Sequence, residues 1–337
     1  MGRQLFQYDP IIGHRFIPGL RARVDHEGGG YLVRVNAAGF RCEHEFAAHK
    51  SPSTFRILLF GDSFTAGDGV SNKDRYGDVL ERLLPGSEVF NFGLSGTGTD
   101  QQYLVYREHA RDLDHDLVVL GVLVENIRRI VARYRPYATE DGKQVFLAKP
   151  YFTRSTRGDL ELNNVPVPKT PVDVTGLDGV ERGHLDRGGR LVWLRKMVNR
   201  LGPRIKDYTQ RLTRYQPLPA YNRASDPAWL LMKAILIQWA NEVRKPMIVN
   251  SIPMHHYIEE TASPKAYQAR FRELGEHPAV ILHDPLPSFH AVPISRRREL
   301  RFSLDVHPTP ECHRILAESL ASRIRPLMER KGKAACQ

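Results

Sequence analysis

Three apolar runs, each closing on small or polar residues, constrain this chain most. Arg56-Ile57-Leu58-Leu59-Phe60 runs into Gly61-Asp62-Ser63, Val89-Phe90-Asn91-Phe92 into Gly93-Leu94-Ser95-Gly96, and Leu117 through Val124 into Glu125-Asn126. Runs this short and continuous fit strands buried on both faces. Between them, residues 74–84 read as a helix with Val79, Leu80, Leu83 and Leu84 on one face, and 99–112 as a polar helix. Strands alternating with helices predict a parallel α/β sheet with helices on both faces. The pattern returns late in the chain as a helix over 228–244, a strand over 246–252 and a last strand over 279–282. Thr309-Pro310-Glu311 then opens a final helix, with Thr as N-cap, Pro at the first helical position and Glu at the positive end.

What lies outside this pattern sets the domain organisation. The chain has 337 residues, which at roughly 150 residues per domain allows two domains or one enlarged α/β domain. Residues 1–50 are rich in Gly, Arg and His, and Tyr31-Leu32-Val33-Arg34-Val35 alternates before a turn at Asn36-Ala37-Ala38-Gly39. This segment is expected to be an arm packed on the core. The main domain is expected over 51–337, interrupted by an insertion at 136–225. That insertion begins where Gly, Pro, Thr and Asp accumulate and short strand-like pieces such as Gln144-Val145-Phe146-Leu147 occur. It predicts a small β-ribbon, followed by a very basic helical stretch at 195–214.

Composition excludes several classes. With 41% hydrophobic and 26% charged residues the chain is globular rather than disordered. No N-terminal run matches a signal-peptide core and no segment approaches a membrane span of roughly 18 apolar residues, so a cytoplasmic protein with no membrane span is expected. Cys42, Cys312 and Cys336 are too few and too scattered for a disulfide framework or a zinc motif. Lys and Arg number 49 against 38 Asp and Glu, a net charge of +11, which points to an anionic partner without identifying it.

The chemistry concentrates at the strand ends. Open α/β sheets hold their ligands just beyond the carboxyl ends of the strands, and Ser63 stands there. A serine needs a base to act as a nucleophile, and Ser303-Leu304-Asp305-Val306-His307-Pro308 offers one. In an extended loop, residues two apart project to the same side, so Asp305 could orient His307 while His307 takes the serine proton. The G-x-S-x-G elbow is absent around Ser63. Acyl transfer also needs donors for a developing oxyanion. The Asn91–Gly96 loop, the Asn126 side chain and the Ser63 N–H converge from three strand ends.

These residues resemble the SGNH/GDSL hydrolase superfamily, in particular its long bacterial members with an N-terminal arm and a β-rich insertion. Gly61-Asp62-Ser63-Phe64 is similar to the first family block, with Phe in place of the usual Leu. Asn91 through Gly96 is similar to the second, Gly96 fitting the oxyanion glycine, and Asp305-Val306-His307-Pro308 to the last. The third block departs: the family pattern is Gly-x-Asn-Asp, and here Val124-Glu125-Asn126-Ile127 keeps the Asn and lacks the Asp. The resemblance covers residues 56–126 and 228–325. It implies a three-layer α/β/α sandwich around a central parallel sheet, flavodoxin-like, with hydrolysis of acyl esters, often on carbohydrate or lipid.

The expected activity is therefore that of a serine esterase acting on an acetyl or other short acyl ester of a carbohydrate or glycolipid. Ser63, Asp305 and His307 are catalytic, Ser63, Gly96 and Asn126 bind the oxyanion, and no metal or cofactor is required. The rivals are an O-acyltransferase with the same triad and a non-catalytic carbohydrate-binding protein. Asp62 and Glu125 are candidate substrate contacts, although Asp62 also reads as a turn residue bonding nearby N–H groups. His255-His256 and His283-Asp284 lack a third ligand at metal spacing. The basic stretch 195–214 and Arg296-Arg297-Arg298 read either as solvated faces or as contacts for an anionic substrate. Without a recognition-helix pattern, nucleic acid is not an expected partner.

Overall fold

A computed structural model describes residues 4–138, 144–173 and 215–335. The basic stretch 195–214 and the end of the expected β-rich piece lie outside the described residues.

The chain opens with two antiparallel hairpins, β1 (Phe6–Asp9) with β2 (Gly13–Phe16) and β3 (Arg21–Val24) with β4 (Tyr31–Arg34). The core follows. β5 (Phe55–Gly61) leads into α1 (Ser63–Ala66) and α2 (Tyr76–Leu83); β6 (Ser87–Asn91) leads into α3 (Thr99–His109); β7 (Leu117–Leu123) leads into α4 (Asn126–Arg129). Two further hairpins interrupt it: β8 (Tyr134–Ala138) with β9 (Gln144–Ala148), and β10 (Tyr151–Arg154) with β11 (Leu160–Asn163). The core resumes with α5 (Pro227–Val243), β12 (Met247–Ile252), α6 (His255–Ile258), α7 (Lys265–Arg272), β13 (Val280–His283), α8 (Leu286–His290) and α9 (Pro310–Ala335). The sequence reading placed all five core strands. It ran the helix after β6 three residues too far, because the chain turns at Ala110 into the polar segment before β7.

The central sheet is five-stranded, in the order β13-β12-β7-β5-β6, and every neighbouring pair is parallel. β5 and β7 are buried along their whole length, as their unbroken apolar sequence requires. Alternate residues of β5 face opposite layers. Phe60 stacks on Phe92 with centroids 4.9 Å apart and meets Trp239 of α5 edge-on at 5.2 Å, with Tyr106 of α3 closing the cluster. Leu59 faces α2 closely enough that a Cβ on Gly77 would stand 2.8 Å from it. α2 packs with α9 on that side and α3 with α5 on the other, giving three layers, α/β/α.

The topology fixes where a ligand can sit. From β5 the chain moves to β6 on one side, then crosses to β7 on the other. The loops after β6 and β7 therefore part above β5, and the crevice between them is the switch point at which open sheets bind ligands.

The first hairpins are tied to this edge of the sheet. The buried Arg41 donates to Gly67 O (2.6 Å), Val70 O (2.5 Å), Leu32 O (3.1 Å) and Asn72 Oδ1 (2.9 Å). It thereby joins the end of β4 to the loop after α1. The hairpins after β7 are tied down by Lys149, whose Nζ lies 2.5 Å from Asp100 Oδ2 at the start of α3. Among the described residues no helix is long and apolar enough to cross a membrane.

Candidate active site

Ser63 is the first residue of α1, directly beyond β5, and is buried apart from a small exposed fraction. The turn that presents it is tight. A Cβ on Gly61 would stand 2.0 Å from Thr65 Oγ1, so glycine is needed for α1 to fold back onto its own strand. Asp62 caps the helix, its Oδ1 accepting the Phe64 N–H at 3.0 Å. Gly67 closes the helix with φ +81°.

Asp62 is fully buried, and its second oxygen accepts from Arg129 Nη1 at 3.0 Å. Burial raises its pKa against the pull of Arg129. Both carboxylate oxygens of Asp62 are thus engaged inside the protein, the arrangement that the turn reading describes. Arg129 also donates to Thr97 O at 3.1 Å, so one guanidinium from α4 joins the serine turn to the loop after β6.

That loop is held by Asn91, whose Nδ2 donates to Thr65 O (3.0 Å) and whose Oδ1 accepts the Gly93 N–H (2.8 Å). Gly96 has φ +76°, and the Arg135 guanidinium lies over it, 2.5 Å from where a Cβ would stand. A side chain there meets both backbone strain and a guanidinium. Beside it, His14 Nε2 lies 2.9 Å from Ser95 O and 2.9 Å from Arg135 Nη1. Burial, with Arg135 adding to it, lowers the His14 pKa to about 4, so this imidazole is neutral.

The third strand end supplies Asn126, the first residue of α4. Its side chain is fully buried, and neither amide atom has a hydrogen-bond partner among the described residues. A buried amide without partners is costly, and such a group calls for an explanation of its own. Glu125 pairs with Arg128 at 3.0 Å, one turn along.

The loop between Leu300 and Thr309 brings Asp305 and His307 together. His307 Nδ1 lies 2.6 Å from Asp305 Oδ1, and the same oxygen accepts the His307 backbone N–H at 3.3 Å. The pairing is therefore a tight turn around the carboxylate rather than the extended loop expected from spacing. A carboxylate only accepts, so Nδ1 carries the proton and Nε2 is left with its lone pair. The His307 ring faces α1, with its centroid 5.7 Å from that of Phe64, the residue after Ser63.

Two residues at this loop carry no local sequence signal. His26 Nε2 lies 3.2 Å from Asp305 Oδ2, and Glu27 accepts from the backbone of the loop. They stand on the β3–β4 turn nearly 280 positions earlier, so only the fold brings them here. Arg129 was equally silent, since its partner Asp62 belongs to another strand end.

The expected basic cluster is internally paired. Arg297 is buried and donates to Val292 O, His290 O, Ile258 O and Glu260 Oε1, Arg296 pairs with Glu299 and Glu311, and Arg301 with Glu259. Glu259 and Glu260 after α6, Glu311 of α9 and Glu299 within the cluster itself pair with these arginines, which fits the solvated-face reading. His283 Nε2 lies 3.1 Å from Ser319 Oγ. Among the described residues no group of three or more His, Cys, Asp or Glu side chains is arranged to hold a metal ion.

No family model matches the sequence, and no curated protein matches it. Solved structures do. Axe2, an acetylxylan esterase from Geobacillus stearothermophilus, matches 81% of this chain and 95% of its own at 14% identity, with a TM-score of 0.44. A member of the lipolytic protein G-D-S-L family from Veillonella parvula matches over 80% and 97% at 10% identity and TM-score 0.43. TesA matches over 81% and 99% at 12% identity and TM-score 0.44. It is to these proteins that the chain is similar.

Proposed function

We propose that this chain is a serine ester hydrolase with Ser63 as nucleophile, His307 as base and Asp305 as the group that orients His307. The observation that carries the reading is the Asp305–His307 contact at 2.6 Å. It fixes the imidazole in the tautomer a general base needs, on a loop that faces the serine helix. Ser63 Oγ attacks the acyl carbonyl carbon, and its proton passes to His307 Nε2. The carbonyl oxygen becomes an oxyanion that the Ser63 and Gly96 N–H groups and Asn126 Nδ2 stabilise. When the C–O bond to the alcohol breaks, His307 returns the proton to the leaving oxygen. Water attacks the acyl-serine with the same base, releasing the acid and free Ser63.

The partnerless amide of Asn126 supports this assignment, since an oxyanion supplies what its Nδ2 lacks. A small pocket of about 20 Å³ lies beside the site, lined by Phe64, Val306, Pro308, Leu300 and Cys312 together with His255, Arg297 and Arg301. The short acyl group follows from the sequence resemblance. An ester on a carbohydrate follows from the sequence resemblance to the long SGNH/GDSL members.

The test is hydrolysis of p-nitrophenyl esters of increasing chain length. Ser63→Ala is expected to lower kcat by about 10⁴-fold or more. The acetyl ester is expected to exceed the octanoyl ester in kcat/KM by about tenfold or more, as a site for short acyl groups requires. Full activity in Ser63→Ala contradicts the mechanism, and a preference for octanoyl contradicts the short acyl group.

A further inference from the structure

We propose that the N-terminal hairpin is part of the catalytic apparatus: His26 is a positioning residue for the Asp305–His307 pair, and Glu27 anchors the loop that carries both. The inference rests on the esterase reading above.

The loop is closed at its base but held at its tip by another element. Its ends are joined by Phe302 N–H donating to His307 O (3.1 Å) and Thr309 N–H donating to Leu300 O (3.0 Å). Between them the chain is exposed, and Leu304 is 88% accessible, so apolar burial does not fix the tip. Instead three successive backbone N–H groups, those of Ser303, Leu304 and Asp305, donate to the Glu27 carboxylate at 3.0, 2.8 and 2.6 Å. The Ser303 hydroxyl adds a fourth donor at 2.6 Å. One side chain of the β3–β4 turn therefore sets where the Asp305 backbone lies. These hydrogen bonds, led by that of Ser303, hold the Glu27 pKa down to about 2, so the anchor stays ionised throughout any neutral or mildly acidic assay.

His26 fixes the other end of Asp305. Its Nε2 donates to Asp305 Oδ2 at 3.2 Å, because a carboxylate offers no hydrogen. Its Nδ1 accepts the Gly28 N–H at 3.3 Å, which accounts for both nitrogens of a neutral ring. Phe302 meets the His26 ring edge-on at 4.4 Å, and Tyr31 does so at 5.8 Å. Phe302 is itself wedged where a Cβ on either Gly28 or Gly69 would stand 2.8 Å from its ring. The carboxylate is thus gripped by an imidazole on each oxygen, which stops rotation about its Cβ–Cγ bond and keeps Oδ1 turned to His307. The titratable groups around the pair include His26, Glu27 and Tyr31 and, across His307, Asp62 and the buried His313.

The experiment measures kcat, KM and the pH profile of the full chain on p-nitrophenyl acetate for H26A, H26Q and E27Q, with S63A as the control. H26A is expected to lower kcat about 10–100-fold while KM stays within about threefold, since misplacing a catalytic group costs rate rather than binding. Its acid limb is expected to move to higher pH, because Asp305 loses a donor and its charge bears more fully on His307. H26Q places an amide N–H at the same oxygen and is expected to recover most of the rate. E27Q points an NH₂ group at N–H donors and is expected to behave like H26A. Wild-type kcat and pH profile in folded H26A overturn the inference; if H26A does not fold by circular dichroism, equal kcat for H26Q and H26L overturns it. Either result with S63A inactive leaves the esterase reading standing, whereas full activity in S63A removes the reading itself.

Discussion

His307 Nδ1 sits 2.6 Å from Asp305 Oδ1 across a turn two residues long, and that oxygen also accepts the His307 backbone N–H. The carboxylate thus sets both the position of the histidine and the nitrogen that holds its proton. Asp305→Asn presents an amide that can donate to Nδ1, which favours the tautomer with the proton on Nε2 and removes the base. The expected result is a fall in kcat of about 10³–10⁴-fold with an intact circular dichroism spectrum. Burial raises the Asp305 pKa, but the charge of His307 and the hydrogen bonds from His307 and His26 outweigh it and hold it below the ordinary range. A depressed carboxylate keeps its pairing above its unfolded value and loses it only as pH falls through the depressed one. Activity lost above about pH 4 is therefore not expected to come from Asp305. A kcat/KM profile from pH 5 to 9 checks this, with a single-proton acid limb as the expected form.

Asn126 is fully buried, and neither amide atom has a hydrogen-bond partner among the described residues. Asn126→Ala removes a polar group that the folded state does not satisfy, so little stability should be lost with it. Catalysis is expected to suffer, with kcat falling about 10²–10³-fold and KM nearly unchanged. Thermal melting and steady-state kinetics on the same preparation separate the two effects. A variant that loses stability but keeps kcat assigns Asn126 to the core instead.

Arg129 links the serine turn to the loop after β6 through Asp62 and Thr97 O. Arg129→Met leaves the buried Asp62 without its cation. At neutral pH a loss of about 2–4 kcal/mol in urea unfolding is expected, discounted for the partial exposure of Arg129. The Asp62 pKa is already raised by burial. A raised carboxylate pKa means that the folded state holds its proton more tightly. The penalty is present in full above the folded value and fades as pH falls toward the unfolded one. The gap between variant and wild type is therefore expected to narrow as pH falls.

The sheet was legible in the sequence because its strands are buried on both faces, which forces unbroken apolar runs such as 56–60 and 117–124. Ser63, Asn126, Asp305 and His307 were legible because strand ends and a short turn place them by local rules. The residues that hold them were not. Arg129 meets Asp62 only because β5 and β7 are neighbours, and His26 and Glu27 meet Asp305 only because an early hairpin docks at the far end of the chain. Pairs like these leave no spacing to read. The pairing of the arginines at 296–301 was only partly readable for the same reason: Glu299 is a near neighbour of Arg296, but Glu259, Glu260 and Glu311 come from other parts of the chain.

The central claim is that Ser63 is an activated nucleophile, and covalent labelling tests it most directly. Incubation of the folded full-length chain with a fluorophosphonate, followed by intact-mass and peptide mass spectrometry, is expected to show one adduct, on Ser63. Ser63→Ala is expected to show none, and Asp305→Asn is expected to label far more slowly. A folded wild-type chain that hydrolyses p-nitrophenyl acetate yet carries no adduct on Ser63, or carries it on another residue, contradicts the account.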